Sequence, residues 1–289
     1  MRVLLGCLLI ALLLAAAIPL HEEMAAIHQT YPTEFRSYYV PSSTYLQVAS
    51  LGQKNFVSDL VFIWAVQFFD RYAQSVRDEY LFHTFDVITD LDPRFTEAYI
   101  FGDLFLSLDR RFDLIYKLAD KGITRNPKEW LVAWDAGSYA FFQAKDYAQA
   151  QRFFRVAADR NPDRTILQDL LANAYKYKGD YQNSLDYWQA ILARHKNDDS
   201  HQGRFFTLAA ERNIFDLTIK INLRDLNEAV AAYRAAKGAP PPVLGALTSA
   251  GFLKSIPVDP TGKPYTYNPK TGEVSCQTPF QFRGKYSQW

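Results

Sequence analysis

The chain has 289 residues, a length that fits one large or two modest domains. Its 32 Lys+Arg against 31 Asp+Glu leave a formal charge of +1, so no global field draws it to nucleic acid or to acidic substrates. An apolar share of 48% argues against a largely disordered chain, while 2 Cys exclude a disulfide-rich scaffold and 5 His leave little for a multi-histidine metal centre.

In chain order, Met1-Arg2 leads into an apolar run, Val3–Leu20, closed by His21-Glu22-Glu23. As a helix the run is about 27 Å long, enough to cross a hydrocarbon core. Arg2 would then set its orientation, with the remainder of the chain outside. A cleaved secretory signal ending near Ala15-Ala16-Ala17 is a second reading, and a lipoprotein site at Leu4-Leu5-Gly6-Cys7 a third, disfavoured because most of the apolar run follows Cys7. Either way residues 1–20 carry the body of the chain across a membrane; with Cys7 in that segment and Cys276 near the other end, no intramolecular disulfide is expected.

Residues 21–54 form a juxtamembrane linker and leading segment. From Tyr38 to Gly52 the chain is apolar for a linker. Leu46, Val48, Leu51 and the aromatics from Trp64 to Phe69 can cap the helices that follow, pack on a neighbour, or lie at a membrane interface. Trp64 is a candidate partner-binding residue on this basis.

Residues 55–238 carry a repeat. Asp92-Pro93, Asn126-Pro127 and Asn161-Pro162 recur at spacings of 34 and 35, each after an apolar periodic segment. Between the prolines two helical segments flank a polar break: Arg110-Arg111-Phe112, Lys145-Asp146-Tyr147 and Gly179-Asp180-Tyr181. In the last unit Ile166, Leu167, Leu170, Leu171, Ala174 and Tyr175 share one helix face, and Leu185, Trp188, Ile191 and Leu192 form the apposed stripe. A degenerate unit over Asn55–Leu91 precedes these. A closing helix pair over Leu208–Ala236 is expected to follow them.

These units resemble the tetratricopeptide repeat family. The likeness rests on Leu171-Ala172, Tyr175, Gly179-Asp180-Tyr181, Tyr187 and Ala190 in the third unit. In the second it rests on Tyr139, Asp146-Tyr147, Ala150, Phe153-Phe154, Ala157 and Pro162, and in the first on Tyr99, Gly102, Phe112, Ala119, Gly122 and Pro127. Ser184 and Ile115 depart from the small residue usual at their position. The resemblance implies an all-α solenoid of helical hairpins whose first helices line a groove for a peptide or helix. Tyr139, Phe142, Tyr175, Lys176 and Lys178 are the candidate groove residues, while most other aromatics fill the space between helices.

Composition changes at Gly238, and residues 239–289 form a tail. A short helix from about Val243 to Ala250 is closed by Gly251, and Tyr265–Asn268 with Glu273–Cys276 read as a β-hairpin. Leu253, Pro257, Asp259, Pro260, Gly262, Pro264 and Tyr265 resemble the tail of the major pseudopilin of type II secretion systems. The acid that pilins carry early in the mature helix is missing, since the fifth residue after Gly6 is Ala11. The tail is therefore expected to cap the solenoid or to dock a pilus or secretion component, with Tyr265 as its candidate contact.

No phosphate-cradling glycine loop, nucleophile elbow or zinc-type cysteine cluster is present. His195 and His201 around Asn197-Asp198-Asp199 read as a loop, so no metal site and no cofactor are expected. The sequence thus points to a non-enzymatic scaffold on the periplasmic side of a bacterial inner membrane. It would be anchored by Val3–Leu20 and would bind envelope proteins of a type IV pilus or secretion system rather than nucleic acid. Two alternatives remain: a constitutive subunit of a large membrane complex or filament, and an accessory to an envelope glycan-transfer enzyme, for which Asp103 or Asp135 would matter.

Overall fold

The computed structural model describes residues 40–68 and 77–280. The expected anchor or signal, the first part of the linker and the last residues of the tail lie outside the described residues. Among the described residues the fold is all-α apart from one antiparallel hairpin, and the chain divides into two compact units, Met1–Asn126 and Pro127–Trp289.

Unit 1 contains α1 (Ser43–Ala49), α2 (Lys54–Phe68), α3 (Arg77–Leu91), α4 (Thr96–Leu108) and α5 (Phe112–Arg125). From α2 onward each helix packs on the next. Phe85, Ile88, Leu91, Tyr99, Leu106, Ile115 and Leu118 are fully buried. Phe62 sets its ring against Phe85, Phe95 and Phe101, so part of the aromatic excess is core. Gly102 permits the close approach of α4 and α5, because a Cβ there would lie 2.6 Å from Leu118. Lys121 bonds Asp86 at 2.6 Å and Asp90 at 2.9 Å, and Arg125 bonds Asp90 at 2.8 Å. Burial opposes ionisation of Asp90, but Lys121, Ser43 and Arg125 outweigh it and hold the carboxyl below its usual range.

Unit 2 begins with α6 (Leu131–Ser138), which runs on as a π-helical turn, Tyr139–Ala144. Then come α7 (Tyr147–Arg160), α8 (Thr165–Lys178), α9 (Tyr181–His195), α10 (His201–Lys237) and α11 (Gly245–Ser249). Strands β1 (Thr266–Asn268) and β2 (Glu273–Ser275) close the order, paired Thr266 to Ser275, Tyr267 to Val274 and Asn268 to Glu273. Helices α6 through α10 pack successively, with Phe153, Phe154, Leu167, Leu171, Trp188 and Ile191 wholly inside.

The spacing seen in the sequence recurs in the backbone. Arg110, Lys145 and Gly179 all adopt positive φ, at 58°, 57° and 91°, and each ends a first helix. A second recurrence is at the far end of each pair. Arg125 donates to the carbonyl of Thr89, Arg160 to that of Glu129 and Arg194 to that of Pro162, tying the last turn of a second helix to the chain before its own pair. Asp146 and Asp180 cap α7 and α9 by accepting from the backbone N–H groups of Gln149 and Asn183, which is why these acids sit at the break. Ser184 departs from the small apolar norm because its hydroxyl donates to the buried carbonyl of Ala172 at 2.7 Å.

One expectation fails. Leu208–Ala236 is not a helix pair but part of α10, a single helix of 37 residues. Nothing within it breaks a helix: the polar stretch from Asn222 to Asn227 lacks glycine and proline, and the stop comes only at Gly238, with φ 79°, before Pro240. The first half of α10 buries Phe206, Ala210 and Leu217 with Trp188 and Ile191, and its second half buries Leu226, Ala229 and Val230 with Leu247, Tyr265 and Val274 of the tail. The hairpin, one residue shorter per strand than expected, therefore packs on α10. Its turn is fastened by Arg234, which donates to the carbonyl of Thr271 at 2.7 Å.

The three left-handed positions differ in cost. Glycine enters this region freely, whereas an L-residue is strained there by about 1–2 kcal/mol. Gly179→Ala is expected to lower stability by about 1 kcal/mol in urea titrations. Lys145→Gly relieves strain but loosens the unfolded chain, so it is expected to change stability by less than about 1 kcal/mol, in the stabilising direction.

Candidate partner-binding surface

The π-helical turn organises an exposed aromatic group in unit 2. Pro127 stands one residue further from its left-handed partner, Lys145, than Pro162 does from Gly179 or Pro93 from Arg110. Upstream, α6 is held in register because Gly137 lies against Phe154, where a Cβ would sit 2.7 Å from the ring. Downstream, Asp146 is held as the cap of α7. The extra residue is absorbed between them, with both Lys145 and Asp146 donating to the carbonyl of Ala140.

That turn directs Phe141 toward α7 and α8, with Phe142 beside it. The Phe141 ring lies 4.9 Å from Phe142, 5.5 Å from Tyr147 and 5.5 Å from Tyr177, and the Tyr147 and Tyr177 rings stack at 5.2 Å. Phe142 is 56% exposed and Tyr177 57% exposed, so the cluster reaches the surface. Lys178 borders it, donating to Gln151 at 2.8 Å. Phe142 and Tyr177 occupy one repeat position, the fifteenth after Pro127 and Pro162, and Leu108 holds it after Pro93 at 59% exposure.

A polar strip adjoins this cluster along α8. Asp169 accepts from Asn173, and Lys176 donates to Asn213 of α10 at 2.8 Å. Burial lowers the Lys176 pKa, against the pull of Asp216. Burial likewise raises Asp169 to about 6, although the Asn173 amide offsets part of the effect. Asp135 of α6 is pushed up to about 7 by burial, and its Oδ2 meets no donor among the described residues. Asp103 is fully buried within α4 and so lies in the interior of unit 1.

The expected residues therefore separate. Phe142, Lys176 and Lys178 lie on or beside the surface, and Tyr139 is half-buried within the π turn. Tyr175 is a correction: it is 2% exposed and stacked on Tyr187 at 5.6 Å, because it belongs to the apolar face shared by Leu167 and Leu171. Tyr265 is another, 5% exposed, with its hydroxyl accepting from Asn222 at 3.0 Å. Trp64 is half-buried against Val40, Val87 and Leu91 in unit 1. Phe141, Tyr177 and Asp169 were not singled out by the sequence, and Tyr147 entered only as part of the repeat motif. The common repeat position of Phe142 and Tyr177 is the signal that could have found Tyr177.

Elsewhere in unit 2, His195 contacts the Thr165 hydroxyl at 2.8 Å and Asp198 at 3.4 Å. Thr165 is buried, so this contact ties the start of α8 to the end of α9. Among the described residues no group of three or more His, Cys, Asp or Glu is placed to hold a metal, and no helix is long and apolar enough to cross a membrane. In the tail, burial works against the Asp259 carboxylate. Hydroxyl donors from Thr278 and Thr261 and the backbone N–H groups of Lys263 and Thr261 prevail, holding it well below the usual range. Beside it a cleft of about 240 Å³ opens between α10 and the tail, walled by Ile214, Phe215, Pro260 and Phe280. No protein-family model and no curated protein matches the chain.

Asp135 makes stability depend on pH with a definite sign. Its native pKa, about 7, exceeds the unfolded value of about 3.9, so the folded chain holds a proton that the unfolded chain releases. Stability is lost as pH rises from about 4 to about 7, by up to about 4 kcal/mol from this group. Asp135→Asn removes that slope. The Tm difference, variant minus parent, is expected to increase from pH 4 to pH 7 and then level off.

Proposed function

We propose that the chain is a tetratricopeptide-type scaffold, anchored by Val3–Leu20 in a bacterial inner membrane, whose helical body binds other envelope proteins in the periplasm. The observation that carries this reading is the repeat position shared by Phe142 and Tyr177 in unit 2, where an aromatic side chain stays more than half exposed each time; in unit 1, taken by itself, Leu108 holds the same position. A packed core has no use for such residues, and recurring exposed anchors suit the apolar face of a peptide or helix. Lys145 and Lys178 beside the aromatic cluster would set register through carboxylates of the partner. Aromatic rings contribute contact area with few torsions to freeze, which favours binding despite the modest patch. The pseudopilin-like residues from Leu253 to Tyr265 make a pilus or secretion apparatus the proposed client system.

The test is site-directed photocrosslinking in membranes. With a photoreactive phenylalanine at position 142, discrete adducts to one or a few envelope proteins are expected. Tyr177→Ala should reduce them about tenfold or more, the cost of a typical anchor residue. Adducts that persist unchanged in that variant, or none at all, would remove the aromatic surface from the proposal.

A further inference from the structure

A second apolar surface lies in unit 1, at the start of the described chain. Tyr45 and Val48 on α1, Leu51 in the following turn, and Phe56, Leu60 and Ile63 on α2 are each at least half exposed. On α2 the exposed residues follow the i, i+4, i+7 rule and form one stripe. The opposite face is already used, with Ala65 fully buried and the Ser58 hydroxyl donating to the carbonyl of Ile88 at 3.0 Å. This helix is thus apolar on two sides, only one of which is covered by its own unit among the described residues.

Leu51 is the least economical residue in the patch. It is 90% exposed and takes a left-handed φ of 49° at a turn tip, just before Gly52. Both its strain and its exposure are unfavourable in water. Charge is sparse around it: Lys54 and Asp59 are the charged residues between Val40 and Phe68. A polar protein surface would gain little here, whereas a lipid interface accepts apolar side chains, a tyrosine and a lysine together.

The chain that precedes the patch selects the occupant. The apolar run ends at Leu20, and residues 21–42 connect it to α1. Even fully extended, a connector of that length spans at most about 75 Å. A patch tethered so closely to an inserted segment meets the bilayer at high effective concentration, so weak apolar contacts suffice to hold it there.

We propose that the face formed by α1, Leu51 and the outer stripe of α2 rests on the lipid bilayer, with Leu51 inserted at the level of the headgroups. The idea rests on the membrane-anchored part of the proposed function and not on the aromatic surface of unit 2. The test uses the full-length chain carrying Cys7→Ser, Cys276→Ser and Leu51→Cys, labelled with bimane and reconstituted into phosphatidylcholine–phosphatidylglycerol vesicles. Lipids bearing a shallow nitroxide are expected to quench the label about twofold or more, while aqueous iodide quenches it weakly. Adding Phe56→Asp and Leu60→Asp, both at exposed positions, should reverse that pattern without unfolding the chain. Strong iodide quenching in the parent overturns the proposal. So does protection from both quenchers, the result if a second copy or another protein covers the face. Failure of the chain to float with the vesicles overturns it together with the anchor, whereas loss of crosslinks at position 142 bears only on the scaffold reading.

Discussion

Each helical pair is constrained at both ends of its first helix. Pro93, Pro127 and Pro162 lie just before the starts, and Arg110, Lys145 and Gly179, all at positive φ, fix the stops. Between those fixed points Gly137 against Phe154 leaves no freedom to slide. A one-residue surplus in the second unit can therefore be accommodated only by widening the helix locally, which the π turn at Tyr139–Ala144 does. The arrangement of Phe141 and Phe142 follows from that accommodation, and with it the stacked Tyr147 and Tyr177. What looks like a local irregularity is thus the step by which repeat geometry becomes a surface.

The order of the helices was legible in the sequence because prolines and left-handed turns act locally. Asp92-Pro93 or Gly179-Asp180 dictates backbone conformation within a few residues whatever the rest of the chain does. Alpha-helix 10 was misread for the converse reason. Its apolar stripes shift from a face meeting Trp188 and Ile191 to one meeting Leu247 and Tyr265, and a change of partner looks in one dimension like a change of helix. Only the missing glycine or proline around Asn222–Asn227 argued for continuity.

The candidate site was less legible. Tyr175 and Tyr177 are two residues apart on one helix, about 200° around its axis, yet one is core and the other surface. Residue type does not separate them, and helical periodicity does so only when the orientation of the whole pair is known. Tyr265 illustrates a second limit: it sits in a motif with the look of a recognition tail, yet the tail's own packing against Leu226 and Val230 consumes its ring. Asp135 was visible as a polar residue in an apolar helix, but its elevated pKa depends on burial by neighbours distant in sequence.

The continuity of α10 has a mechanical consequence. The tail is fastened at Asn222, which donates to the carbonyl of Val258 and to the Tyr265 hydroxyl, and at Arg234, which donates to the carbonyl of Thr271. These fastenings are about 18 Å apart along one unbroken rod. A pull on the tail parallel to that rod loads them in shear, so they must yield together rather than peel in turn. The same pull is carried along the helix to the packing around Trp188. Two short helices joined by a loop would have stretched at the joint; one long helix passes tension through.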